Sequence, residues 1–254
     1  MAEEKEKNKT TTRRDFLKKS GYVTGGLIGG GVLGGVIGSG IWNNETDSNV
    51  ATKGEQEQQH DQALQYFKNR ADFNILSQAT ERIFPEDENG PGAIALGVPY
   101  YIDHQLAGLW GINAREYRQG PFYKGEPNQG YQTQLNHREV FELGIEALEK
   151  YSQSTFNDSF TALEPEQQDK VLMAFDNNEV NMSVISSSLF FELLRTLTFE
   201  GAYADPLYSG NRDMQGWRMK EFPGVQMSYT DKIESEEFIE IEPASLHDRF
   251  NANA

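Results

Sequence analysis

Histidine, carboxylate and glycine are the residue types here whose spacing could betray chemistry. The four histidines are His60, His104, His137 and His247. None lies three or four residues from another, so no two can share a helix face as a metal pair, and His137-Arg138-Glu139 does not make H-E-x-x-H. Asp103 beside His104 is the one neighbouring pair that could serve as acid and base, although a solvated or locally bonded histidine is the commoner use of such a pair. The chain has 39 carboxylates, so adjacent ones arise by chance. Glu86-Asp87-Glu88 lacks the alternating spacing and following glycine of a calcium loop. Gly29 to Gly34 spells G-x-G-x-x-G, but a dinucleotide fingerprint needs a strand before it, a helix after it and an acidic residue about 20 positions on. Here the match falls in an uncharged stretch saturated with glycine, where it is almost automatic. No G-x-S-x-G or P-loop occurs. Cysteine is absent, which excludes disulfides, thiolate metal sites, Cys-ligated iron–sulfur clusters and a Cys nucleophile. Any redox chemistry in a complex containing this chain must sit on another subunit. The residues nominate no catalytic, cofactor-binding or metal-binding set.

The most informative stretch runs from Glu200 to Gly224. It carries Gly210, Gly216, Gly224, Pro206 and Pro223 among the rings of Tyr203, Tyr208, Trp217 and Phe222, with Asp205, Asn211 and Asp213 between them. A disordered linker would not use so many aromatics. The composition predicts an ordered loop, with glycines allowing tight turns and Asp205 and Asn211 fixing those turns through backbone hydrogen bonds. The rings either cap a helical core or dock a partner, since aromatics and arginine are favoured in interface cores.

Helical periodicity dominates the segments that must hold this loop. Phe73, Leu76, Thr80 and Ile83 repeat on one face after Asp72, a candidate N-cap, and Pro85 stops the helix. Residues 93–110 read as partly helical, with Tyr101, Leu106, Leu109 and Trp110 as burial candidates. Residues 136–151 place Phe141, Ile145 and Leu148 on one face. Pro165 suits a first helical turn ahead of Val171, Leu172 and Phe175. Residues 183–199 carry a broad face of Ile185, Leu189, Phe190, Leu193, Leu194 and Leu197. The one period-2 run of note, 238–241, is short. The expected class is all-α: a compact helical domain with long ordered loops. Apolar residues are 37% of the chain and the 24 glycines add roughly 9%, close to the usual globular fraction of about 45–50%, so a core can form.

Charge divides the chain. Seven of its 23 cations and four of its 39 anions lie within residues 1–42, so the remainder carries a net charge of −19 within a total of −16. Such a body argues against nucleic acid, because phosphate binding needs clustered cations. The basic head runs into residues 20–42, which hold no charge at all. A basic region followed by an apolar stretch is a secretory signal. Arg13-Arg14 followed by Phe16, Leu17 and Lys18 resembles the twin-arginine export signal, with Thr12 where such signals usually have serine. That resemblance implies export of a folded protein by the twin-arginine translocase. No convincing cleavage site follows, and the 22 residues over 21–42 would span roughly 33 Å as a helix, so retention as a membrane anchor is an open alternative. Residues 43–62 read as a polar linker, 63–230 as the helical domain, and 231–254 as an acidic, loosely held tail.

The loop and its surroundings resemble the gluconate 2-dehydrogenase subunit 3 family. The matching elements are Glu200-Gly201, Asp205-Pro206-x-Tyr208-x-Gly210-Asn211-x-Asp213, Gly216-Trp217 and Phe222-Pro223-Gly224. Upstream, Arg82-Ile83-Phe84-Pro85, Gly90-Pro91-Gly92-Ala93, Gly97-Val98, Tyr101-Ile102-Asp103, Tyr117-x-x-Gly120-Pro121-Phe122 and Phe190-Phe191 also fit. Ser209 departs from the second glycine common at that place. The resemblance covers roughly residues 72–225. It implies a non-catalytic small subunit, with no cofactor of its own, that stabilises and helps export an FAD-containing large subunit oxidising gluconate, another sugar acid, a sugar or a polyol. Electrons would leave that complex through a cytochrome subunit or a quinone, on the extracytoplasmic face of the membrane. The residues expected nearest the partner are Tyr203, Asp205, Pro206, Tyr208, Gly210, Asn211, Asp213, Gly216, Trp217, Phe222, Pro223 and Gly224. Two rival readings stand beside this one: a membrane-tethered envelope protein without a dehydrogenase partner, and an independent exported hydrolase using Asp103 and His104.

Overall fold

Asn69 is where the chain first commits to a helix. Its backbone is extended, and its side chain accepts from the Ala71 N–H, so α1 spans Arg70–Ile83. Asp72, the cap expected from sequence, lies instead in the first turn, where a carboxylate complements the positive end of the helix dipole. Asn69 satisfies a free donor earlier in the chain, and the helix therefore starts earlier. Phe73, Leu76, Thr80 and Ile83 form its buried face, and it ends at Phe84 before Pro85. The computed structural model describes residues 63–251 apart from 124, 127, 128, 130, 131, 231 and 238. The twin-arginine residues Arg13, Arg14, Phe16, Leu17 and Lys18, the anchor over 21–42 and the linker over 43–62 lie outside the described residues.

The remaining helices follow readable signals. Pro99 sits in the first turn of α2 (Val98–Ala107), where its missing N–H costs nothing. Asn136 and Glu139 make a reciprocal capping box for α3 (His137–Phe156), satisfying two otherwise free donors. Pro165 opens α4 (Pro165–Asp176). The Ser186 hydroxyl accepts from the Leu189 N–H at the start of α5 (Ser187–Tyr203), so Ile185 precedes that helix. A single turn, α6 (Gln215–Arg218), and a short α7 (Leu246–Asn251) complete the set. Three 3-10 turns lie at Phe160–Ala162, Pro206–Tyr208 and Arg212–Met214. The domain is all-α: these seven α-helices are accompanied by isolated bridges and no strand among the described residues. Residues 239–241 therefore form no strand.

α5 packs most extensively on α4 and α2, and α1 lies against α2, α3, α4 and α5. The shared core is phenylalanine-rich, with Phe84, Phe141, Phe160, Phe175, Phe190 and Phe191 all but fully buried. Phe141 and Phe175 each meet Phe190 edge-to-face, at 5.5 and 5.8 Å between centroids. Each such side chain contributes about 1.5–3 kcal/mol by leaving water. Polar ties fix the helices relative to one another. Arg82 of α1 makes a two-pronged contact with Asp169 of α4, at 2.8 and 2.9 Å. Arg138 of α3 donates to the Leu106 and Ala107 carbonyls, closing the C-terminal end of α2.

That closure explains one departure from the sequence reading. Leu109 was expected inside but is 61% exposed, because α2 ends at Ala107 and the helical period no longer applies beyond it. Trp110 is half-buried and stacks on His137 at 3.8 Å between ring centroids. His137 Nδ1 donates to the Trp110 carbonyl, and Nε2 accepts from the Asn113 amide. Burial holds this imidazole below its ordinary value of 6.5, so it serves as a neutral structural bridge.

Candidate functional site

The loop begins where α5 runs out of helical partners. Its backbone lies directly on the last turn of α5: a Cβ at Gly210 would come within 2.2 Å of the Gly201 carbonyl oxygen, and one at Gly216 within 1.9 Å of the Ala202 carbonyl oxygen. Only bare backbone fits at either place. The terminal carbonyls of α5 then find partners in the loop. Trp217 Nε1 donates to the Tyr203 carbonyl at 2.8 Å, and Asn211 Nδ2 donates to the Ala204 carbonyl at 2.8 Å.

Asn211 is wholly buried, with a left-handed backbone at φ 46°, a conformation asparagine tolerates better than most residues. Its Oδ1 accepts from the Gly216 N–H at 2.7 Å. One amide thus ties the end of α5 to the start of α6. Asp205 plays the matching part at the other edge. Oδ1 accepts from the Leu207 N–H, setting the turn Pro206–Tyr208, and Oδ2 accepts from the Leu246 N–H at 2.8 Å. The Arg212 N–H donates to the Leu96 carbonyl, joining the loop to the approach to α2.

The C-terminal segment also holds the loop, contrary to the expectation of a loosely held tail. The Val225 N–H donates to the Ala244 carbonyl at 2.8 Å, Arg218 pairs with Glu242, and Gly224 packs between Ala244 and the Trp217 ring. Ser245 is buried and exchanges hydrogen bonds with Asp248 at the start of α7.

The loop's rings divide by role. Trp217 is 5% exposed and belongs to the packed side, and Tyr203 is half-buried. Tyr208 and Phe222 are 50% and 48% exposed, and so is Leu207 at 46%. Phe222 rests edge-on against Trp217 at 5.4 Å, so an outward ring is steadied by an inward one. Capping the core and offering apolar surface are thus the work of different rings. Pro206 and Pro223 are half-buried, Gly210, Gly216 and Gly224 are buried, and Asp213 is exposed. Leu207 is the outward residue that sequence reasoning missed; its signal was a large apolar side chain in a proline-led turn.

Asp103 and His104 make no hydrogen bond to each other. Asp103 is wholly buried, and its carboxylate accepts from the Gln65, Tyr66 and Phe67 N–H groups at 2.6, 3.1 and 2.8 Å. It clamps the start of the domain. His104 Nε2 lies 2.9 Å from the Ala63 carbonyl, to which it must donate, while Nδ1 lies 2.8 Å from the Ser209 hydroxyl. Its Nε2 is 4.0 Å from the nearer Asp103 oxygen, outside hydrogen-bond reach. Both side chains are thereby committed to holding distant segments together. Among the described residues, no group of three or more His, Asp or Glu could hold a metal ion, and no helix is long and apolar enough to cross a membrane.

The family model described as gluconate 2-dehydrogenase subunit 3 matches residues 70–224. The match begins at the first residue of α1 and ends at the glycine that packs against Trp217 and Ala244. No curated protein and no solved structure matches the chain.

Proposed function

This chain belongs to the gluconate 2-dehydrogenase subunit 3 family, and we propose that it is a non-catalytic small subunit that stabilises the FAD-containing large subunit of a sugar, sugar-acid or polyol dehydrogenase and helps export it. In this reading the flavin and the substrate lie on the large subunit. Electrons pass onward to a cytochrome subunit or a quinone. The twin-arginine residues address the assembled pair to the translocase, and residues 21–42 hold it at the extracytoplasmic face of the membrane.

The observation that carries the reading is the loop after α5, within the family match. Its backbone is fixed by Asn211, Asp205 and Trp217, while Leu207, Tyr208 and Phe222 stay half-exposed. A surface ordered in advance loses little conformational freedom when a partner covers it, and aromatic side chains give large contact area at low entropic cost. Co-expression tests the reading. The flavoprotein made with this chain should be soluble, active and exported, and made alone it should aggregate or stay inside the cell. A flavoprotein that is soluble, active and exported without this chain would sink the proposal.

A further inference from the structure

Beside the loop, a shallow cleft of 480 Å³ opens between α2, α5 and the turn Pro206–Tyr208. It is lined by Tyr101, Tyr203 and Tyr208, with Gln105, Glu200 and Asp205 as its remaining polar residues. No lysine or arginine lines it. Three aromatic rings with two carboxylates and no cation make an unusual combination, because ring faces and carboxylates attract the same kind of ligand.

The geometry sharpens the preference. The Tyr101 hydroxyl donates to Glu200 Oε2 at 3.3 Å, tying one wall of the cleft to one of its carboxylates. The Asp205 oxygens each accept one backbone N–H and keep further lone-pair capacity. α5 ends at Tyr203, so the negative end of its dipole adds to the same field. The Tyr203 ring already carries one cation, with Lys220 Nζ 5.7 Å from its centroid, and Lys220 is not part of the cleft's lining. Tyr208, half-exposed on the turn, is also part of the cleft's lining.

We propose that this cleft is the socket for an arginine side chain of the partner subunit. The inference rests on the reading that this loop docks a partner, and it names the chemistry of the contact. Arginine fits better than lysine because its flat guanidinium stacks on a ring while its edge donates to a carboxylate.

The test uses the full chain with N-acetyl-arginine amide as probe and N-acetyl-citrulline amide as its uncharged counterpart, read through the ring resonances of selectively labelled tyrosines. Arginine should shift Tyr101, Tyr203 and Tyr208 saturably, and citrulline should bind at least about tenfold more weakly. Glu200→Gln, which leaves an acceptor for Tyr101, should weaken arginine binding by about fivefold or more. No response, an equal response to citrulline, or an unchanged Glu200→Gln overturns the socket. A second arm measures capture of the co-expressed flavoprotein. Tyr208→Ala, at an exposed position, should lower capture by about tenfold, and unchanged capture also overturns the socket. The probe titration needs no partner, so loss of the co-expression effect with arginine binding intact would overturn the subunit reading and leave the cation-binding cleft in place.

Discussion

Replacing Asn211 with alanine removes three things at once: the donor to Ala204, the acceptor for Gly216, and a side chain suited to φ 46°. A stranded buried group costs about 1–3 kcal/mol, and a left-handed alanine about 1–2 kcal/mol. Asn211→Ala should therefore destabilise the domain by about 2–5 kcal/mol in urea unfolding. Asn211→Gly relieves the backbone but not the lost bonds, so it should recover only about 1 kcal/mol of that. A full recovery by glycine would show that conformation, and not the amide, holds the loop. Asn211 and Asp205 could be nominated from sequence because short polar side chains among glycines and prolines have few other uses. Asp103 could not be read as a clamp. Its donors are backbone N–H groups 36 to 38 residues upstream, and a backbone donor carries no residue signature.

The same distinction separates the helices that were legible from the contacts that were not. Asn136 with Glu139, and Pro165, mark helix starts because the capping chemistry is local and residue-specific. Asn69 and Asp72 are both acceptable caps by type, and only the extended backbone at Asn69 decides between them. The pairing of 223–225 with 244, and of Asp205 with Leu246, uses backbone groups from an acidic segment whose composition suggests mobility. Leu246 is the first residue of α7, where proline is accepted. Leu246→Pro therefore deletes the N–H that Asp205 accepts without breaking the helix, and Leu246→Ala controls for the lost side chain. A hydrogen bond to a carboxylate contributes about 1.5–3 kcal/mol, so the proline variant should be cut by trypsin at Arg212, Arg218 and Lys220 about tenfold faster than the alanine variant. Equal cleavage would mean that the C-terminal segment rests on the loop without holding it.

At the scale of the whole chain, the basic head and the acidic body carry different information. Most of the phenylalanine core and the helix ties lie within residues 70–224, the span of the family match, with Phe67 just before it, and residues 43–254 together carry a net charge of −19, so they have no net electrostatic attraction to anionic headgroups. The seven cations of residues 1–42 do, but general attraction and recognition of a paired arginine are separable. Arg13→Lys with Arg14→Lys keeps the charge and changes only the guanidinium geometry. If this chain is the escort, that double variant, made only here, should hold both chains in the cytosol as an intact complex, with dehydrogenase activity recovered from the cell interior and missing outside. The interior activity shows that folding and assembly survived, so the lost step is transport. If the flavoprotein still reaches the exterior at its usual level, it carries an address of its own, and the export part of the proposed function fails while the stabilising part remains to be judged by co-expression.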